Sequence, residues 1–408
     1  MQQVTHDEQI TDASRQPTVA PTAAPASAAA SGVKALSVDW WERNGALEVS
    51  ISVAQARTVF GQTAAARAGR SSLPILGMGL VTWDAGDAAD ADTDGGPTLV
   101  TCATLATTDL ESALVVALPG TCVATGGGAC VVPVQDMVAV LKPCAARDNV
   151  TFSFGGLCVL VACGGLRSSF PCMDPSEYPS LPTLASERER DAVRRAERER
   201  LPQQRGKHAD TPPHASMLDP WTPWAGPVGS IPALAIGRWQ RIVAQVARHC
   251  SVETNRPVFT CLCWAVAGAS AADRADSVTV ASDGAASDAT ATIVGADSSR
   301  LALARLPFSL APGLPDDGVE VLTDALRTTK LLQLLTATDD VRVAATDHLV
   351  FLEQAQTRIV LNRVNARYPN YPAIIGGFHM AATLRFDETP LKVALKALGA
   401  RAGAAVLS

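Results

Sequence analysis

Glu177-Tyr178-Pro179-Ser180-Leu181-Pro182 and Arg367-Tyr368-Pro369-Asn370-Tyr371-Pro372 are one phrase written twice, 190 residues apart. Working outward from that phrase, other pairs keep nearly the same spacing. Arg70-Ser71-Ser72-Leu73-Pro74-Ile75-Leu76 and Arg256-Pro257-Val258-Phe259 each begin an extended apolar run after a helical stretch. Thr108-Asp109-Leu110-Glu111 and Ala296-Asp297-Ser298-Ser299-Arg300-Leu301 each close a strand pair. Val132-Pro133 and Leu322-Thr323 each open a helix, and Asp148-Asn149-Val150 and Asp339-Asp340-Val341 each start a strand. The offset drifts only from 186 to 191 across these landmarks, which marks an internal duplication.

Each unit reads as strand, helix, strands, helix, strands. Val150, Phe152 and Phe154 alternate on one strand face, as do Val341 and Val343, the period of a half-buried strand. Gly155-Gly156 and Gly164-Gly165 are hairpin signals. The expected fold class is α+β, with a helix pair packed on antiparallel sheets in each unit. A third unit begins at Ala381-Ala382-Thr383-Leu384-Arg385-Phe386, but the chain stops at Ser408, about a quarter of the way into it.

This divides the chain into five parts. Residues 1–44, rich in Ala, Pro, Thr and Ser, read as a disordered tail. Its Trp40 and Trp41 are expected to dock on the first domain. Residues 45–182 form the first domain and 183–229 a charged, Pro-rich linker. Within the linker, 11 of the 14 positions from Glu187 to Arg200 are charged, and Ser186 with Glu189 makes a capping box for a short helix. Trp221 and Trp224 follow, with an inserted linker as the plain reading and a binding element as the alternative. Residues 230–377 form the second domain and 378–408 the start of the third.

Of the 408 residues 47% are apolar but only 5% aromatic, so the core is built mostly from Ala, Val and Leu. Ten cysteines lie on apolar runs and read as buried thiols in a reducing compartment. No HExxH, GxSxG or P-loop pattern occurs, and no Cys or His spacing suits a metal. No apolar run approaches the ~20 residues of a membrane span, and the N-terminus is a poor signal peptide. These points predict a cytoplasmic protein with no cofactor, no metal and no membrane partner.

The net charge of −6 argues against a uniformly basic surface. The charge is unevenly placed, however. The helical stretch 53–70 carries Arg57, Arg67 and Arg70 and no acid; 237–249 carries Arg238, Arg241 and Arg248 and no acid. At 100° per residue the last three fall within about 80° of one another, opposite the apolar stripe of Trp239, Ile242, Val243 and Val246. Helix 323–335 adds Arg327 and Lys330, and helix 387–402 adds Lys392, Lys396 and Arg401. Acid-free helices at equivalent places in two units point to a shared polyanion-facing surface. Few aromatics lie there to stack bases, so the backbone of a duplex is the expected ligand.

Arg70-Ser71-Ser72-Leu73-Pro74-Ile75-Leu76-Gly77, Thr108-Asp109-Leu110-Glu111, Asp297-Ser298-Ser299-Arg300-Leu301 and the two Tyr-Pro phrases together resemble the bacterial DNA polymerase III sliding clamp, the beta subunit. The resemblance covers about 45–182 and 230–408. It implies tandem clamp domains, three per chain. Two chains would close head to tail around duplex DNA, with helices lining the hole. It implies a processivity factor without a catalytic site, an accessory subunit that tethers the replicative polymerase and is placed on DNA by a clamp loader. Arg70 matches a DNA contact at the rim. A groove for short linear motifs of polymerase and loader maps to Phe259, Ser298, Arg300, Leu301, Pro369 and Ile374, and a subunit interface segment starts at Val406-Leu407. The family's Thr-Asp-Gly-His-Arg-Leu stands here as Ala296-Asp297-Ser298-Ser299-Arg300-Leu301, without the Gly and His. With most of the third domain absent, the alternatives are a truncated chain, a clamp completed by another chain, or a degenerate paralogue that binds clamp-motif partners without encircling DNA. A reaction at Cys261 and Cys263 is the remaining and weakest reading.

Overall fold

The computed structural model describes residues 45–67, 73–84, 98–99, 103–200, 226–268, 289–314 and 318–377, with isolated helical positions between 389 and 396. The first series of elements is β1 (Leu47–Ser52), α1 (Val53–Ala66), β2 (Gly79–Trp83), β3 (Thr98–Leu99), β4 (Ala103–Thr108), β5 (Ser112–Ala117), β6 (Thr121–Ala124), β7 (Gly128–Val132), α2 (Val134–Leu141), β8 (Asn149–Gly155), β9 (Cys158–Cys163) and β10 (Leu166–Pro171). A connecting helix α3 (Leu184–Arg200) follows. The second series is β11 (Gly226–Ile231), α4 (Ile236–Ala247), β12 (Cys261–Gly268), β13 (Ala289–Ala296), β14 (Leu301–Pro307), β15 (Ser309–Leu310), β16 (Val319–Asp324), α5 (Ala325–Leu332), β17 (Val341–Ala345), β18 (Leu349–Gln354) and β19 (Thr357–Asn362). A short helix α6 (Tyr371–Gly376) ends it.

Local chemistry sets the boundaries, and three differ from the sequence reading. The runs after Arg70 and Arg256 enter their strands through single 3₁₀ turns, Pro74–Gly77 and Pro257–Thr260. Proline at the first position, with its fixed φ and missing N–H, starts such a turn. Leu322 and Thr323 belong to β16; α5 opens at Ala325, because the Asp324 carboxylate accepts the Arg327 N–H at 2.8 Å. The cap of α3 lies three residues upstream of the expected Ser186. Thr183 Oγ1 accepts the Ser186 N–H, and Ser186 Oγ accepts the Thr183 N–H.

Three antiparallel sheets result. Their orders are β10-β9-β8-β1-β6-β3, then β14-β13-β12-β16, and β15-β11-β17-β18-β19-β5-β4-β2-β7. The first series places β1, β3, β6 and β8–β10 in one sheet and β2, β4, β5 and β7 in another; the second places β11, β15 and β17–β19 in one and β12–β14 and β16 in another. The nine-stranded sheet is a fusion of the two series. Edge strand β19 of the second pairs with edge strand β5 of the first, from Thr357↔Val116 to Leu361↔Ser112.

The helices pack in pairs, α1 with α2 and α4 with α5. Alternation buries Leu47, Val49 and Ile51 on β1 against Val53, Ala56, Val59 and Phe60 of α1. Phe60 meets Phe152 at 5.1 Å between ring centroids, and Trp239 meets Trp264 at 5.4 Å. Each such ring contributes about 1.5–3 kcal/mol by leaving water. Close approach of helix and sheet requires Gly295: a Cβ there would stand 2.7 Å from the Val246 carbonyl oxygen. At the corresponding place in the first series, Thr107 Oγ1 donates to the Thr63 carbonyl at 3.1 Å.

Candidate nucleic-acid interface and partner groove

The apolar stripe of α4 is buried through Ile236, Trp239, Val243 and Val246. That orientation leaves Arg238, Arg241 and Arg248 exposed together on the opposite face, and Lys330 is exposed on α5. Lys396 is exposed on a helical position near the C-terminus. Arg70, Lys392, Arg401, Val406 and Leu407 lie outside the described residues, as do Trp40, Trp41, Trp221 and Trp224.

The structure gives the other cations internal partners. Arg57 reaches across to the C-terminal end of α2 and donates to the carbonyls of Leu141, Lys142 and Cys144. These are among the orphan acceptors that every helix end leaves. Gln240 does the same in the second series, donating to Leu332 and Leu335 at 2.9 Å. Arg327 joins the two series: it pairs with Asp109 at 3.1 Å and Glu111 at 2.6 Å across the β19–β5 junction, and with Asp324 on its own side. Arg67 is half-buried, with its guanidinium 3.7 Å from where a Cβ on Gly77 would stand. The two acid-free helices are therefore equivalent in place but not in exposed charge. The positions on α1 that match Arg238, Arg241 and Arg248 are exposed Gln55, Thr58 and Ala65.

Two of the residues expected in the groove, Phe259 and Leu301, meet at the far end of the second series. Cys261, Cys263, Val294, Ala296, Leu322 and Tyr368 form a buried cluster, and Phe259, Leu301 and Tyr371 pack on its rim. Tyr368 and Tyr371 meet edge to face at 6.5 Å. Asn370 caps α6 by accepting the Ala373 N–H. Pro369 lies between this cap and Tyr368, while Ile374 stands half-exposed on α6. Ser298 and Arg300 are exposed on the β13–β14 turn, which Asp297 organises. One Asp297 oxygen accepts the N–H groups of Ser299 and Arg300 at 2.7 Å, and the other takes the Arg300 guanidinium at 2.6 Å. The Ser299 N–H first, then the Arg300 guanidinium, hold this carboxyl well below the usual range. These bonds organise a turn whose sequence lacks the Gly and His of the family pattern. Tyr368 belongs to this cluster and Tyr371 packs against it; both come from the repeated Tyr-Pro phrase, where Tyr178 and Leu181 are their counterparts.

Cys261 and Cys263 are buried. Burial pushes the Cys261 thiol up to about 11 and the Cys263 thiol further. Both stay protonated near neutrality, the form that is a poor nucleophile. Among the described residues, no group of three or more His, Cys, Asp or Glu side chains is placed to hold a metal ion. No helix among them is long and apolar enough to cross a membrane.

No protein-family profile and no curated protein matches the chain. Solved structures do. The two tandem series, with paired helices on antiparallel sheets, share the fold of DNA sliding clamps. The C. crescentus beta sliding clamp superposes with a TM-score of 0.58 at 14% identity, covering 89% of this chain and 76% of that one. The sliding clamp (DNA polymerase III subunit beta) of Pseudomonas aeruginosa bound to griselimycin gives 0.56 at 15% identity, over 86% and 74%. The DNA polymerase sliding clamp of Bacillus subtilis gives 0.55 at 13% identity, over 82% and 68%.

Proposed function

We propose that the chain is a DNA polymerase processivity factor, a sliding clamp with no reaction of its own. Its clamp domains are 45–182 and 230–377. It holds duplex DNA through backbone phosphates without reading sequence, and takes polymerase and loader through short linear motifs. The observation that carries this reading is the exposed, acid-free row Arg238, Arg241 and Arg248 with Lys330 on the helix layer of a sliding-clamp fold. Phosphate contacts of this kind give salt-sensitive attraction, and tethering raises the polymerase's effective concentration at its template. Arg70, Lys392 and Lys396 extend the DNA-facing set. Phe259, Leu301, Pro369 and Ile374 supply an apolar anchor site, with Ser298 and Arg300 at its polar edge. Val406-Leu407 begin the segment assigned to subunit contact.

Retention on circular duplex that is lost when the circle is cut tests the reading. Equal, salt-resistant binding to open and closed templates overturns it. A second reading, a paralogue that binds clamp motifs without encircling DNA, is favoured by the neutral Gln55, Thr58 and Ala65 face of α1. It expects clamp-motif peptide binding with no topology-dependent retention.

A further inference from the structure

In the first series the chain brings two thiols together where its two sheets end. β7 ends the nine-stranded sheet and β10 ends the six-stranded one. Directly after β10 the chain turns onto β7. There Met173 and Val131 exchange both backbone hydrogen bonds, at 2.9 and 3.2 Å, as an isolated antiparallel bridge. Residues beside a bridged pair point to the other face. Cys130 precedes Val131 and Cys172 precedes Met173, so the two side chains share that face as diagonal neighbours. They meet there, the Cys130 S–H donating to the Cys172 sulfur.

The two positions differ in access. Cys130 is 3% exposed and stands opposite Val81 in the register. Cys172 is half-buried, with its N–H fixed on the Leu157 carbonyl at 2.8 Å. Accepting the Cys130 S–H holds the Cys172 thiol below its usual value; the same bond, with burial, pushes the Cys130 thiol up. A reachable thiol biased toward thiolate therefore lies against a protonated, enclosed one, and the thiolate is the form that attacks a disulfide. Other cysteines lack this combination. Cys163 meets Cys144, but it is 6% exposed, and burial first pushes it up to about 11. Cys158 is as accessible as Cys172, but it pairs with Pro171 in the register and so points to the opposite face.

We propose that Cys172 and Cys130 form a modification site for low-molecular-weight disulfides, Cys172 attacking and Cys130 resolving. The Cys172 thiolate attacks one sulfur of R–S–S–R; that S–S bond breaks, Cys172–S–S–R forms and RS⁻ leaves. The Cys130 sulfur, giving up its proton, then attacks the Cys172 sulfur and displaces the second RS⁻. Each departing RS⁻ takes up one of the two thiol protons, so the chain is oxidised by two electrons and the reagent is reduced to two RSH. The new bond fastens the end of the nine-stranded sheet to the segment that leads to Tyr178 and the connector. In that connector Leu181 and Leu184 pack on the buried cluster of Phe351, Val360, Ala344 and Ala113 at the β19–β5 junction. Neither DNA nor a partner motif enters this chemistry, so its failure leaves the proposed function to its own test.

The reduced full chain, incubated with oxidised glutathione, quenched in acid, alkylated and mapped by mass spectrometry, reads the outcome. The expected first product is a peptide linked through Cys130 and Cys172, returned to free thiols by dithiothreitol. Cys172 is expected to react at least about tenfold faster than Cys158. In Cys130→Ser the reaction stops with one glutathione on Cys172. In Cys172→Ser, Cys130 keeps its thiol under conditions that link the wild-type chain. Circular dichroism checks both variants; where either fails to fold, the wild-type map and the rate ratio decide. Preferential linkage of Cys144 to Cys163 overturns the proposal. So do a Cys130–Cys172 link that forms only in urea and a Cys172 that reacts no faster than Cys158.

Discussion

The helix pairs of the two series are the same device with different outer faces. Arg57 and Gln240 occupy matching positions and do the same work, closing the carbonyl end of the neighbouring helix. Their buried stripes also match, Val53, Ala56 and Phe60 against Ile236, Trp239 and Val243. On the exposed side Gln55, Thr58 and Ala65 of α1 face Arg238, Arg241 and Arg248 of α4 as counterparts. An arginine in a helix is therefore two different things. One kind is part of the packing and repeats as a position, even when the residue type changes. The other is free to meet a ligand and can be present in one copy and absent from the next.

The sharpest way to break that distinction is to remove the free kind. Replacing Arg238, Arg241 and Arg248 together by Ala is expected to weaken duplex DNA binding at low salt by about a hundredfold or more. It should flatten the log–log salt dependence by about three phosphate contacts, without lowering thermal stability. An unchanged salt slope by fluorescence anisotropy would place the DNA contact elsewhere. The packing kind should behave oppositely. Arg57→Ala is expected to cost about 2 kcal/mol and Gln240→Ala about 1 kcal/mol in denaturant unfolding, because a charged donor to several carbonyls outweighs a neutral one. DNA affinity per folded molecule should stay constant in both.

Arg327 tests the join between the two regions. Arg327→Ala leaves Asp109 and Glu111 facing each other without their cation and is expected to cost about 1 kcal/mol. It should also separate the melting of the two series, which calorimetry would register as a broadened or split transition. The smallest effect concerns the thiols of the second series. Burial raises Cys250 from 9.0 to about 12 and Cys261 from 9.0 to about 11. Their folded-state protons are held more tightly than in the unfolded chain. Stability is then constant below pH 9 and falls as the pH rises from there through about 11–12. Cys250→Ala should flatten that decline in urea titrations at alkaline pH.

The fold class was legible because the duplication supplied its own internal control. Short motifs that are weak singly became specific when Tyr178 and Tyr368, or Asp109 and Asp297, recurred in order. The alternation in β8 and β17 and the apolar stripe of α4 were equally readable, since burial on one face leaves a periodic trace. What the sequence left hidden is partnership across distance. Nothing near Arg57 announces that its acceptors are 84 residues away on Leu141. Nor does anything near Arg327 show that Asp109, 218 residues back, holds it. The cap of α3 was misplaced for a related reason. Thr183 and Ser186 are both competent caps, and Leu181 and Leu184, on either side of Thr183, pack on the Phe351 cluster. Of the residues expected in the partner groove, Phe259 and Leu301 meet on one buried cluster, and Tyr368 and Tyr371 join them there from more than 60 residues further along the chain.

The fused nine-stranded sheet has a consequence for chain continuity. The two halves are held by five register pairs between β19 and β5, by the Phe351 cluster and by Arg327, none of which depends on the peptide bonds between Arg200 and Gly226. The joint between β19 and β5 closes without the covalent link that this stretch supplies. A protease nick there should leave a single particle that separates only in denaturant.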